Sequence, residues 1–219
     1  MNKSEFYNDY KKVRDKAWDI LIKNNVSSLP VDVFGLCERM GVKIISYTQA
    51  TDIIRLYDLT EYTNNNDGFT TIINGHYIIF YDDTVNPKER LRFTVAHELG
   101  HIVLGHLLTD NVSCRKGVTI WNRGEAKEPN PSENAANIFA SRLLAPACVL
   151  WALDIHSADE ISKLCGLSKT AAQIRAERMR LLYEREQEWF KKYNKSCFGT
   201  SPRERAVLKQ FENSIHKNT

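Results

Sequence analysis

Two histidines, His97 and His101, stand four residues apart inside an apolar stretch of the chain. On a helix, residues four apart lie on the same face, so both imidazoles can reach one divalent metal ion. A helix is predicted here because Asn86 and Pro87 form a start signal, and about twenty helix-compatible residues follow, to Leu107. A metal-binding helix within the core is therefore the strongest constraint that this sequence places on its fold.

Glu98 follows the first of these histidines directly, so it can lie beside a bound metal without being a ligand. A carboxylate in that place can act as a general base toward water. Zinc suits this chemistry because it accepts imidazole nitrogens and keeps a fourth position open beside three protein ligands. Chance could also put two histidines and a glutamate on a helix surface, but the apolar flanks favour a buried site. Gly100 costs helix stability of about 1 kcal/mol relative to alanine, which suggests that something approaches the backbone closely there.

A third ligand has to come from outside this motif. The metzincin pattern would place a glycine three and a histidine six residues after the second motif histidine, but Leu104 and Leu107 occupy those positions. His106 is about 140° around the helix from His101, so we do not expect the two to share a metal ion. We expect His106 to be partly exposed or to contact a ligand from behind.

Glu133 is the best candidate for the third ligand, because it begins a second predicted helix and Asn137 lies one turn further on. The amide of Asn137 could orient a ligating histidine. Glu133 also lies three residues after Asn130, where a glutamate that only completes a capping box would be found. Three further carboxylates in the preceding loop compete for the same role: Asp110, Glu125 and Glu128.

The remaining pattern predicts an α+β fold. Residues 42–47, 69–73 and 77–81 are rich in β-branched and aromatic residues, and Asn74-Gly75 between the last two is a hairpin signal. We expect these strands to form a small antiparallel or mixed sheet, with antiparallel pairing favoured. The polar stretch 60–68 is predicted to be a loop.

Helical periodicity continues on both sides of this region. Residues 4–24 and 131–144 are predicted helices, and residues 158–192 form a helical segment with a break at Gly166. Residues 108–129 lack periodicity and are expected to form a long surface connection. Residues 203–216 could be a last helix or a loose tail.

Bulk composition excludes several classes of protein. The 219 residues are 42% hydrophobic and 26% charged, which is ordinary for a globular chain and not for a disordered or fibrous one. No run of eighteen apolar residues is present, and the first residues are charged, so we expect a cytoplasmic protein without a membrane segment. The five cysteines contain no CxxC pair and are expected to be small buried hydrophobic residues.

The net charge of +3 conceals a basic C-terminal end. Residues 169–219 carry an excess of six positive charges, whereas residues 1–168 carry an excess of three negative charges. We expect a core that carries the zinc site over residues 1–150, a helical subdomain over residues 151–192 and a basic tail over residues 193–219. Any contact with an acidic partner would involve this end of the chain.

A competing interpretation concerns residues 159–175, which could form a helix-turn-helix around Gly166. Leu164 and Ile174 would pack the two helices together. The side chains available to a DNA groove or to phosphates would be Lys169, Thr170, Gln173 and Arg175. The protein would then bind DNA or sequester a regulator, with a structural or sensory zinc site. An ordinary pair of helices joined by a glycine turn accounts for the same pattern.

Two segments together resemble the ImmA/IrrE family of bacterial and phage zinc metallopeptidases. The first is Phe93-Thr94-Val95-Ala96-His97-Glu98-Leu99-Gly100-His101, and the second runs from Glu133 through Ala136-Asn137 and Phe139-Ala140 to Leu143-Leu144 and Pro146. The similarity extends over about residues 5–185. One departure is Ala135, where many relatives carry an acidic residue.

This resemblance implies a zincin-like fold with a gluzincin-type site, in which the sheet packs on the motif helix. His97, His101 and Glu133 would bind Zn²⁺, and Glu98 would be the catalytic base. The implied substrate is a protein, typically a helix-turn-helix repressor that silences a mobile element or a stress regulon.

Overall fold

The computed structural model describes residues 3–109, 112–115, 117–121 and 130–216. Its helices are α1 (Lys3–Lys23), α2 (Val33–Arg39), α3 (Thr51–Tyr57), α4 (Thr60–Asn65), α5 (Lys88–Leu104), α6 (Pro131–Leu144), α7 (Ala147–Ala152), α8 (Ala158–Cys165), α9 (Lys169–Tyr193), α10 (Pro202–Gln210) and α11 (Glu212–His216). Its strands are β1 (Lys43–Ser46), β2 (Gly68–Ile73), β3 (His76–Tyr81), β4 (Val112–Arg115) and β5 (Val118–Trp121). The α+β class is therefore confirmed.

The strands form one mixed sheet in the order β1-β3-β2-β5-β4. The predicted hairpin is confirmed, because β2 and β3 pair antiparallel around Asn74 and Gly75, whose φ angles of 51° and 78° suit a two-residue turn. The preference for antiparallel pairing throughout was wrong, since β1 pairs parallel with β3.

The segment 108–129 was expected to be a long surface connection, and this was wrong for residues 112–115 and 118–121. It contributes β4 and β5, which pair antiparallel with each other, and β5 extends the sheet along β2. Each of these strands has four residues, too few to show a periodicity in the sequence. Pairing with β2, more than forty positions earlier in the chain, is what organises this segment.

Both faces of β2 are covered, and the two faces differ in chemistry. Phe69 and Ile73 belong to an apolar cluster that includes Ile54 and Leu59 from the α3–α4 region. Since side chains alternate along a strand, Thr70 points to the opposite face, where its hydroxyl reaches α5. A polar residue in the middle of the sheet thus faces the helix that carries the histidines.

Helix α4 lies where a loop was predicted, in residues 60–68. Its composition is polar, but Tyr62 packs on Phe69 with ring centroids 5.6 Å apart, and Asn66 donates from Nδ2 to the carbonyl of Tyr62. These contacts stabilise a short helix that its apolar pattern does not predict.

Helix α5 begins one residue later than its start signal indicated. Pro87, rather than Asn86, is the N-cap, and the Asn86 amide donates instead to the carbonyl of Thr84. The helix ends at Leu104, because Gly105 adopts a φ of 81° and begins a 3-10 turn over His106–Leu108. The prediction that the helix continues to Leu107 was therefore wrong by one turn.

Chain contacts divide the protein into two compact units, Met1–Lys16 with Asp32–Ala140, and Ala17–Val31 with Ser141–Thr219. The first contains the sheet and α5. In the second, α8 and α9 pack on each other after the predicted break, where Gly166 has a left-handed conformation. The C-terminal residues form α10 and α11, so the helical alternative is confirmed for that segment. The proposed division at residues 150 and 192 stays a prediction.

Within the part of the chain that the structure describes, one helical segment, Pro131–Ala152, is long and apolar enough to cross a bilayer by length and composition. Of its apolar window, 67% is buried inside the protein. A buried core helix passes the same test, so this is weak support for a membrane segment. The expectation of a cytoplasmic protein without a membrane segment stays a prediction.

Candidate metal centre

The two motif histidines lie side by side on the inner face of α5. His97 and His101 are 8% and 1% exposed, and their Nε2 atoms are 3.0 Å apart. The spacing of four residues thus brings both nitrogens to one point, as the sequence predicts.

Glu133 reaches the same point from the first turn of α6. Its Oε2 lies 3.0 Å from His97 Nε2, and its Oε1 lies 3.7 Å from His101 Nε2. The ligand atoms of the three residues all lie within 4.8 Å of one another. Two imidazole nitrogens and one carboxylate form a donor set that fits a divalent metal ion such as zinc.

Close packing of two helices brings these residues together. A Cβ atom on Gly100 would lie 3.1 Å from Phe139 Cδ1 and 3.3 Å from Ala136 Cα. A Cβ atom at this position would require Phe139 or the α6 backbone to shift by a few tenths of an ångström. The glycine between the histidines therefore permits the close backbone approach that its cost in helix stability suggested.

Asn137 lies one turn after Glu133 and contacts the far side of the first histidine. His97 donates from Nδ1 to Asn137 Oδ1 at 2.9 Å. Because an amide oxygen only accepts, this bond places the proton of neutral His97 on Nδ1 and leaves a lone pair on Nε2. The structure thus puts Asn137 where it can orient His97.

The carboxylate of Glu98 lies on the sheet side of α5 and is 2% exposed. Thr70 of β2 donates from Oγ1 to Glu98 Oε2 at 2.8 Å, and the same hydroxyl is 3.2 Å from the carbonyl of Glu98. No motif in the sequence singles out Thr70. The available signal was a threonine at the centre of a strand that is otherwise mostly apolar.

A cavity of about 340 Å³ opens beside Glu98 and His97. Its walls come from α5, α6 and the start of β2, and comprise Asn66, Asp67, Gly68, Arg90, Phe93, Thr94, His97, Glu98 and Asn137. Arg90 and Asp67 form an ion pair in this wall, with Nη2 and Oδ2 2.5 Å apart. The cavity is large enough for a side chain, and the Glu98 carboxylate lines it.

His106 also meets the site, although α5 ends before it. Its Nδ1 lies 2.9 Å from His101 Nδ1, on the opposite side of that ring from Glu133. The expectation that His106 is partly exposed and contacts a ligand from behind is confirmed, although the turn at Gly105, rather than an unbroken helix, brings it there. The pKa of His106 is lowered from its ordinary value, mainly by burial. The nearby Glu133 acts to raise this pKa, and His97 acts to lower it further.

The three competing loop carboxylates, Asp110, Glu125 and Glu128, lie outside the described residues. Among the residues that are described, Glu133 is the carboxylate that joins the two histidines in a group able to hold a metal ion.

The segment 159–175 differs from the helix-turn-helix interpretation in two residues. Ile174 is 62% exposed and so does not pack the two helices together. Arg175 is 1% exposed and donates from Nε and Nη2 to the carbonyl of Ala145, so it cannot face DNA. The other suggested contacts are at partly or fully exposed positions, at Lys169, Thr170 and Gln173. Nucleic-acid binding by this segment stays a prediction.

Comparison with known proteins agrees with the geometry of the site. No curated protein matches the chain. The family model for peptidase M78, described as the IrrE N-terminal-like domain, matches residues 37–177, which include α5, α6 and every residue of the group described above. The resemblance drawn from the two motifs is therefore confirmed, and the chain belongs to the peptidase M78 family of IrrE N-terminal-like domains.

Proposed function

We propose that this protein is a zinc-dependent endopeptidase with a zincin-like, gluzincin-type site. The observation that carries the proposal is the meeting of His97, His101 and Glu133 within 4.8 Å, with Glu98 at the adjacent cavity. Membership of the family supports a metallopeptidase. The choice of zinc is supported by the donor set of two imidazoles and one carboxylate.

In this proposal, His97, His101 and Glu133 hold the metal ion. When bound, zinc supplies a Lewis acid that polarises the substrate carbonyl and lowers the pKa of water. The proton on His97 Nδ1, fixed by Asn137, keeps the Nε2 lone pair directed at the metal position.

Glu98 acts as the general base. It takes a proton from the attacking water and returns it to the leaving amine. Its Oε2 accepts a hydrogen bond from Thr70, which holds the carboxylate in one orientation. Because Glu98 also lines the cavity, this group can reach a peptide bond placed there.

The proposed substrate is a regulatory protein in the cytoplasm, such as a helix-turn-helix repressor of a mobile element or a stress regulon. The support is the likeness of both motifs to the ImmA/IrrE family, together with a basic C-terminal end that could attract an acidic partner. The burial of Arg175 leaves DNA binding without a specific observation in its favour.

Metal analysis of the purified full-length protein tests the site. We expect about one zinc ion per chain, because the group offers three ligands to one metal position. A His97→Ala/His101→Ala double variant should lose the metal, and His76→Ala, at an exposed hairpin position, should keep it. Zinc retained by the double variant would exclude this site.

A trapping experiment tests the activity and seeks the substrate. Glu98→Gln retains the shape of the side chain but removes the base, so it should bind zinc and hold uncleaved substrate. Proteins captured by this variant are compared with those that wild-type enzyme cuts in an extract. If Glu98→Gln cleaves the captured protein at the wild-type rate, Glu98 is not the base.

A further inference from the structure

His106 is positioned to act on the metal centre through His101. Gly105, with a φ of 81°, ends α5 and starts the turn that brings His106 back against the helix. The Nδ1 atoms of His101 and His106 are 2.9 Å apart, and the two rings meet edge to face, with centroids at 4.9 Å and an angle of 72°. One of these two nitrogens must therefore carry the hydrogen.

Which nitrogen carries it follows from the chemistry of imidazole. Neutral histidine has one N–H, and Nε2 of His101 faces Glu133 and His97. A ligand needs a lone pair on the nitrogen that meets the metal, so the hydrogen of His101 belongs on Nδ1. Nδ1 then requires an acceptor, and His106 Nδ1, 2.9 Å away, is in position to accept this hydrogen.

We propose that His106 is a positioning residue that accepts the Nδ1–H of His101, fixes the tautomer and ring orientation of that ligand, and raises the affinity for zinc. This proposal rests on the function proposed above. Each ligating histidine then has its own acceptor. His97 donates to Asn137, and His101, which is 1% exposed, donates to His106. The hydrogen of His106 then lies on its Nε2.

Zinc affinity provides a test that needs no substrate. His106→Leu removes the acceptor, whereas His106→Asn retains one, since Asn Oδ1 can occupy the position of Nδ1. We expect His106→Leu to weaken zinc binding about 10- to 100-fold, comparable to Asn137→Ala, as is typical for partners of metal ligands. His106→Asn should recover most of the affinity, and the exposed His76→Ala should match the wild type.

These affinities are measured by competition with a chromophoric chelator, and the melting temperature of each metal-free variant is measured in parallel. A positioning role predicts that His106→Leu and His106→Asn melt alike without metal but differ in zinc affinity. Wild-type affinity in His106→Leu, or an equal loss in both variants, would overturn the proposal.

Long-range ¹⁵N–¹H spectra of the zinc-loaded wild type give an independent answer, which does not depend on whether a variant folds. We expect hydrogen on Nδ1 of His101 and on Nε2 of His106, and a hydrogen on His106 Nδ1 would contradict the proposal. A wild-type protein that binds no zinc would instead overturn the metal site itself. The two failures are thus distinguishable.

Discussion

The Cα atom of Ala136 lies 3.3 Å from the position that a Cβ atom on Gly100 would occupy. The carbonyl oxygen of Ala136 is equally close to it. Since Ala136 lies one turn after Glu133, this contact sets how far the Glu133 carboxylate stands from the two histidines. The geometry of the candidate metal site therefore depends on the absence of a side chain at Gly100, where α5 and α6 meet.

Replacing this glycine tests that dependence. Gly100→Ala improves helix propensity by about 1 kcal/mol, but overpacking at a tight contact typically costs about 1–3 kcal/mol. We expect little or no gain in thermal stability and a clear loss of zinc affinity, measured by chelator competition. Lys88→Ala, at an exposed position on the same helix, is the control. Unchanged zinc affinity in Gly100→Ala would show that the helices adjust without moving Glu133.

The hydroxyl of Thr70 should matter for turnover rather than for metal binding. Thr70→Val keeps the shape of the side chain and removes the hydrogen bond to Glu98, whereas Thr70→Ser keeps the hydroxyl. A hydrogen bond to a charged group contributes about 1.5–3 kcal/mol, so kcat should fall about 10- to 100-fold in Thr70→Val. Cleavage of the substrate identified by trapping measures this change, with zinc content as the control. Equal rates in the two variants would exclude the positioning of Glu98 by Thr70.

Arg175 should stabilise the fold of the second unit. Its two hydrogen bonds to the Ala145 carbonyl are 2.9 Å and 2.6 Å long, and burial lowers its pKa to about 10. Lysine cannot donate two parallel bonds to one oxygen, so Arg175→Lys should lower the free energy of unfolding by about 2 kcal/mol. Urea denaturation checks this value. Lys169→Ala, at an exposed position, should change the free energy of unfolding little. A larger loss of stability in Lys169→Ala than in Arg175→Lys would favour a surface role for Arg175.

The cysteines should differ strongly in reactivity. Burial raises the pKa values of Cys37 and Cys148 to about 12, so their thiolate fractions at pH 8 are very small. Cys165 is also buried, Cys197 is half-buried and Cys114 is exposed, so the expectation of five buried cysteines was correct for three of them. We expect Cys114 to react first with Ellman's reagent and Cys114→Ser to lose the fast phase. Rapid reaction of all five thiols in the native protein would contradict this assignment.

Local patterns predicted much of the framework. The hairpin at Asn74 and Gly75 and the break at Gly166 depend on residues that are adjacent in the chain, so the sequence alone indicates them. The same is true of His97 and His101, since the geometry of one helix places both on one face. Periodicity could not predict β4 and β5, because four-residue strands form only against a neighbour that lies far away in sequence.

The sequence by itself determined that two histidines share a helix face and that a second helix begins near Glu133, and its two motifs identified the family. Only the tertiary structure decided the partner of each side chain, because those contacts join residues 5 to 40 positions apart across turns and neighbouring elements. The hydroxyl of Thr70 reaches Glu98 because β2 packs on α5, and His106 reaches His101 because a glycine ends that helix. Such contacts depend on how elements pack, and packing leaves no periodic signal in the chain.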